Sequence, residues 1–220
     1  MALQMSRLLL ALLITPFLLA DAAAQHRGIN FDLLAAARNG SEPDARALLD
    51  QGASPNSRNR LGDTPLNIAA RSGNLSMARL LLERGANVNL QNLARVSPLM
   101  SAAFNGHAGM VRMLTASNAD SALTDRTQKT AMVYAAGNGH TECVRVLLDA
   151  GADINARYSN ELTALMWASA YGHVATVGFL LARGADATLR DNRDKTAMML
   201  ASEEDRPLVV AALHEAGVSQ

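Results

Sequence analysis

Apolar residues recur along this chain in short helical bursts rather than in alternation or in long runs. The clearest stretch runs from Thr163 to Asp186. Leu165, Met166, Ala168 and Ser169 are followed by Val177, Leu180 and Leu181 at helical spacing, with Tyr171, Gly172 and His173 between the two groups. This spacing predicts two amphipathic helices joined at Gly172 and closed by Arg183, Gly184, Ala185 and Asp186.

The same pattern returns every 33 residues without gaps. A closing glycine stands at Gly52, Gly85, Gly151, Gly184 and Gly217, and Asn118 takes the remaining slot. A pair of small residues stands at Ala36 and Ala37, Ala69 and Ala70, Ala102 and Ala103, Ala135 and Ala136, Ala168 and Ser169, and Ala201 and Ser202. Six units follow, at about 26–58, 59–91, 92–124, 125–157, 158–190 and 191–220.

One unit explains its own markers. Thr64 caps a helix that Pro65 opens, since proline suits the first helical position. Leu66 and the alanine pair form a narrow face that lets neighbouring units approach closely. Gly73 permits the reversal into a second helix, whose buried stripe is Ala78, Leu81 and Leu82. Gly85, and Asn118 in its place one unit on, end that helix in the left-handed conformation. The Leu33–Leu34 start of unit one and the Glu203, Glu204, Asp205, Arg206 and Pro207 segment of unit six depart from the inner pattern as terminal caps would, with a polar outer face. The expected fold is therefore mainly α, a solenoid of about six 33-residue helix-turn-helix units joined by short hairpin loops, with no room for a second domain.

These motifs resemble the ankyrin repeat over nearly the whole chain after residue 25. The Thr-Pro-Leu core is matched at Thr64–Leu66 and Ser97–Leu99, and in Thr-Ala form at Thr130–Met132, Thr163–Leu165 and Thr196–Met198. The histidine that follows in the family is replaced by Asn67, Met100, Val133, Met166 and Met199. A hydrogen-bonded link inside each unit is thus expected to give way to apolar packing. The Thr-Ala-Leu-Met-Trp-Ala form is similar to exported, periplasmic bacterial ankyrin-repeat proteins. That resemblance implies a protein partner and, for some relatives, a link to catalase and peroxide defence.

Composition narrows the picture further. Half of the residues are apolar (49%) but only 4% are aromatic, which favours helices packed through small residues. The formal net charge is +0, so no overall field points to nucleic acid or to an anionic membrane. The single Cys143 excludes an internal disulfide.

Residues 1–24 have the layout of a signal peptide. A positive start through Arg7 precedes the apolar run Leu8–Ala20, and Ala22–Ala24 supplies the small residues of a cleavage site. The run is shorter than the roughly 20 residues of a membrane span. The expected mature chain starts at Ala23 or Gln25 and is periplasmic, without stable membrane insertion. Extracellular release, or anchoring by an uncleaved segment, is the alternative.

Candidate chemistry is sparse. His107, His140 and His173 fall in three successive units, but helices in such stacks lie about 8–10 Å apart. A shared zinc needs its ligand nitrogens at about 2.0–2.1 Å from the metal. The ladder reads as structural hydrogen bonding, with no metal and no cofactor. Cys143 aligns with Met77 and Met110 as a core thiol. Eight methionines, among them Met100, Met132, Met166 and Met198, occupy core slots as filling. No nucleophile elbow, phosphate loop or convergent carboxylate pair occurs, so no enzyme is indicated.

What remains is a surface. The ankyrin resemblance implies a concave face built from the hairpin tips and the outer ends of the first helices. Carried over, it assigns partner binding to Arg60, Leu61, Asp63 and Arg71 in unit two and to Leu93, Val96 and Phe104 in unit three. Arg126, Lys129 and Asn138 follow in unit four, Asn160, Leu162 and Tyr171 in unit five, and Arg193 and Lys195 in unit six. Phe104 and Tyr171 are the aromatic anchors of that set, and its arginines favour an acidic or mixed partner. The expected protein is a monomer that binds another protein. An inhibitor or immunity-type factor for an exported toxic enzyme and a self-associating scaffold are the alternatives.

Overall fold

The computed structural model describes residues 28–218. The proposed signal segment, residues 1–24, lies outside the described residues. Twelve α-helices and one short 3-10 turn occur among the described residues, with no strand. Helix α1 spans 28–39 and α2 Glu42–Asp50. They are followed by α3 (Pro65–Ser72) and α4 (Leu75–Glu83), then α5 (Pro98–Phe104) and α6 (Ala108–Ala116). Next come α7 (Ala131–Gly137) and α8 (Thr141–Asp149), then α9 (Ala164–Ala170) and α10 (Val174–Ala182), and finally α11 (Ala197–Glu203) and α12 (Pro207–Glu215).

From α2 onward the helices are only 7 to 9 residues long, too short to persist alone in water. Their order comes from capping and stacking. Thr64, Ser97, Thr130, Thr163 and Thr196 each accept the backbone N–H three residues on. Odd-numbered helices pack on odd and even on even, so first helices form one layer and second helices another. The alanine pairs are buried to the last atom where the first helices touch, as at Ala69, Ala70, Ala102, Ala103, Ala135 and Ala136.

The second-helix stripe is Met77, Ala78 and Leu81, repeated as Met110, Val111 and Leu114 and as Cys143, Val144 and Leu147. Leu82, expected in it, is only half-buried, because Leu80 takes the inward position. Met100, Met132, Met166 and Met198 are buried as core filling. Asn118 takes φ 61 and replaces the closing glycine as expected.

Two expectations need correction. The missing family histidine is not exchanged purely for apolar packing. The Asn67 side chain accepts from Thr64 N–H (2.9 Å) and donates to the Val96 carbonyl (3.4 Å). The Met100 and Met166 sulfurs receive the N–H groups of Ser97 (3.5 Å) and Thr163 (3.4 Å), so the local link survives in weaker form. The end units also carry exposed apolar side chains besides their polar ones: Leu208 is 73% exposed, and Phe31, 69% exposed, faces Arg60 and Leu61 of unit two across a cleft.

The histidines staple unit to unit. Nε2 of His107, His140 and His173 lies 3.1, 3.0 and 2.9 Å from the carbonyls of Arg71, Phe104 and Gly137 in the preceding unit. In unit six Arg206 takes over, donating from Nε to the Ala170 carbonyl at 3.1 Å. Each ring nests against a glycine of the preceding turn. A Cβ on Gly139 would lie 2.5 Å from His173 Nδ1. Cys143 is fully buried, and burial pushes its thiol up to about 11.

Candidate functional site

The hairpin tips form a row of fingers with a repeating brace. In four of them an Asn or Asp oxygen accepts two backbone N–H groups of its own loop: Asn59 from Leu61 and Asp63, Asn92 from Ala94 and Val96, Asp125 from Thr127 and Lys129, and Asp191 from Arg193 and Lys195. These short polar side chains suit the role because they bond back to backbone two residues on.

Between the fingers and the outer ends of α5, α7 and α9 lies an aromatic strip. Phe104 meets Tyr134 edge to face with ring centroids 5.5 Å apart. Trp167 and Tyr171, one helical turn apart, stack at 5.8 Å. Lys129 bridges the two pairs, its Nζ 5.9 Å from the Tyr134 centroid and 5.2 Å from that of Trp167. Four of the chain's aromatic side chains thus gather on one face of a protein that is poor in them. Two adjoining hollows of about 250 and 210 Å³ share Trp167 and Tyr171 as lining.

Electrostatics fix the strip further. The Tyr134 hydroxyl donates to Asp125 at 2.5 Å. Burial alone would raise the Asp125 carboxyl. Hydrogen bonds from Tyr134, Lys129 and Thr127 outweigh it and hold the group below the usual carboxylate range. Burial, and then Asp125, raise the Tyr134 hydroxyl, so it stays a neutral donor. Tyr134 is thereby fixed as one wall of the hollow.

The fingers differ along the row. Arg60, Arg95, Arg126 and Lys129 have no carboxylate within ion-pair distance among the described residues. In units five and six the finger cations are paired: Arg157 with Glu161 (2.6 Å), Arg190 with Asp194 (3.4 Å), Arg193 with Asp191 (2.9 Å) and Lys195 with Glu203. The free positive charge therefore collects beside units two to four.

The assigned surface residues fall into two groups. Arg60, Leu61, Leu93, Phe104, Arg126, Asn138, Asn160 and Tyr171 are exposed on the fingers or along the strip, and Lys129 is half-buried within it. Asp63 does not belong to the accessible face. It is 1% exposed, takes Arg71 Nη2 at 3.1 Å and Asn92 Nδ2 at 2.7 Å, and so braces unit two against unit three. Arg71 is exposed but held by that contact. Val96 and Leu162 are half-buried against the core, because their alternate position on the finger points inward. Arg193 and Lys195 remain accessible with their charge offset.

Sequence reasoning missed Tyr134 and Trp167 as members of the strip. Both fill the slot held by Ile68, Ser101 and Leu200 in other units. Two rings in adjacent units of a slot that is otherwise small or aliphatic was the available signal. Among the described residues no three potential metal ligands cluster, and no helix is long and apolar enough to cross a membrane.

The family model described as ankyrin repeats (3 copies) matches residues 14–92, 33–125, 84–158 and 156–220. Among solved structures, the chain is similar to the crystal structure of EF0377, an ankyrin repeat protein. The two share 29% sequence identity with a TM-score of 0.74, over 84% of this chain and 96% of that one. No curated protein sequence matches the chain.

Proposed function

The chain belongs to the ankyrin-repeat family, whose repeats are generally protein-interaction modules, and on that premise we propose that it is a non-enzymatic, exported module holding one partner protein in its concave groove. One observation carries this reading. Phe104 and Tyr171 are 50% and 52% exposed, and the half-buried Tyr134 and Trp167 line the same hollow around a lysine. Aromatic anchors in a hollow with arginine nearby are the composition of interface hot spots.

The charge distribution supports a specific partner chemistry. An apolar or aromatic side chain fits the hollow between Tyr134 and Trp167. Carboxylates of the same segment fit beside Arg60, Arg95, Arg126 and Lys129, which form no ion pair among the described residues. Binding of this kind weakens as salt rises.

Export rests on the residue 1–24 layout, with a periplasmic monomer starting at Ala23 or Gln25 as the mature form. Mass measurement of the chain recovered from the exported fraction tests it. A full-length chain with Met1 intact in the cytosol refutes export.

Affinity capture from the exported fraction, with the wild-type chain and with a Phe104→Ala/Tyr171→Ala/Arg126→Ala variant, tests the groove. The expected result is one dominant partner, lost in the variant while its helical content is retained. Capture undiminished by the variant overturns the groove assignment. A catalase-type partner or another exported enzyme, peroxide-linked or toxin-like, is identified by the same experiment. Concentration-dependent polymers in light scattering would instead make the chain a self-associating scaffold.

A further inference from the structure

Neighbouring hairpin loops are tied by three kinds of rung. In the first, an asparagine reaches into the next loop. Asn56 accepts from Asn87 N–H (2.8 Å) and donates to the Gly85 carbonyl (3.2 Å), Asn89 does the same with Asp120 (2.8 Å) and Asn118 (3.4 Å), and Asn155 accepts from Asp186 N–H (2.9 Å). In the second, a long side chain donates to a carbonyl one unit on: Arg58 to Gln91 (2.8 Å), Gln91 to Thr124 (2.9 Å), and Arg157 to Arg190 (3.0 Å). The third joins fingertip backbones: Leu93 N–H to Leu61 (3.0 Å), Arg126 N–H to Ala94 (3.3 Å), and Asn192 N–H to Asn160 (3.0 Å).

All three lapse at one junction, between the fingers of units four and five. The asparagine slot there is Ala122, which has no amide, and the long-donor slot is Thr124, too short to cross. The fingertip rung is reduced to a 3.4 Å contact from Ser159 Oγ to the Thr127 carbonyl. Finger five has also lost its internal brace, since Tyr158 fills the Asn/Asp slot. Its loop becomes a 3-10 turn (Ser159–Glu161) with Asn160 and Glu161 both near φ 60. A cleft of about 580 Å³ opens between the two loops, walled by Ala122, Thr124, Tyr158 and Ser159.

The helix side of the same junction is fully stitched. His173 reaches the Gly137 carbonyl (2.9 Å), Thr141 Oγ meets Thr176 Oγ (2.8 Å), and Arg183 pairs with Asp149 (2.9 Å). In a solenoid each unit touches only its neighbours, so distant contacts cannot compensate a weak junction.

We propose that this junction is a hinge, at which the solenoid bends by parting fingers four and five while the helix side holds. The groove straddles it: Lys129 on finger four lies over Trp167 of unit five. Parting the fingers withdraws the lysine from the ring, so a partner that spans both aromatic pairs closes the hinge. This consequence rests on the groove reading, whereas the hinge itself does not.

Spin labels test it in the partner-free chain. The pair Asp120→Cys/Asp153→Cys spans the junction, and Asn87→Cys/Asp120→Cys spans the fully rung junction one unit earlier. The three positions are exposed and make the same local turn, so labelling perturbs both pairs alike. Cys143 is buried with its thiol pushed up to about 11 and stays unlabelled. The expected inter-label distance distribution is at least about twofold broader across the hinge than across the control. Adding Ala122→Asn/Thr124→Arg, residues the chain itself uses in those slots, should narrow it to the control width. Equal widths in the parent pairs, or a width that the restored rungs leave unchanged, overturn the hinge. Loss or retention of partner capture bears only on the groove.

Discussion

Replacing Gly139 by alanine should destabilise the fold chiefly through one histidine, and the magnitude follows from the turn geometry. Gly139 sits at φ +73, where an L residue costs about 1–2 kcal/mol. Its new Cβ would lie 2.5 Å from Nδ1 and 2.8 Å from Cγ of His173. That ring cannot swing away freely, because Nε2 is bound to the Gly137 carbonyl at 2.9 Å. Overpacking of this kind costs about 1–3 kcal/mol, which brings Gly139→Ala to about 2–5 kcal/mol. His173→Ala alone removes the bond and strands the carbonyl, for about 1–3 kcal/mol.

In the double variant the clash is gone and only the backbone strain and one lost bond remain. Its cost should fall short of the summed singles by about 1–3 kcal/mol. Gly85→Ala supplies the control. It has φ +83 and nothing within 4 Å of its Cβ, so it should show the backbone cost alone. Chemical denaturation followed by circular dichroism reads all four variants, provided the m-values agree. Additivity of the double variant within about 0.5 kcal/mol would refute the staple and return the histidines to the pool of unexplained residues.

Two further outcomes are expected. The folded-state pKa of Asp125 is depressed, so its stabilisation is complete above the ordinary carboxylate value and is lost as pH falls through the folded one. Denaturation between about pH 5 and pH 2 should therefore cost the wild type more stability than Asp125→Asn, which keeps the loop brace as Asn59 and Asn92 do; equal losses would show that the carboxylate charge is immaterial. Cys143, buried with a thiol pushed up to about 11, should resist a soluble disulfide reagent at neutral pH and react promptly once the chain is unfolded. Rapid reaction in the native protein would place it outside the core.

The periodic parts were the most legible. The 33-residue interval, the Thr caps, the alanine pairs and the turn glycines are local requirements repeated in each unit, so the sequence carries them several times over. Asn118 was readable as a left-handed stop because asparagine tolerates that conformation. Legibility fell on the fingers, where residues alternate between outward and inward and a small change of loop shape decides which. Asp63 looked like a surface acid until its contacts with Arg71 and Asn92 put it inside. Tyr134 and Trp167 occupy a slot that is otherwise small or aliphatic, and only the stacking of α7 beside α9 brings both rings to line one hollow.

The division follows from the range of the forces involved. Helix periods, caps and glycine turns depend on residues within a few positions of one another, and these the sequence determined by itself: six stacked helix pairs of the ankyrin type. Whether a charge is free or paired, whether two rings 33 residues apart share a hollow, and whether three rungs lapse at the same junction depend on side chains brought together across units. Only the tertiary structure decided those. They distinguish one groove, and the one junction it straddles, within six units built on the same plan.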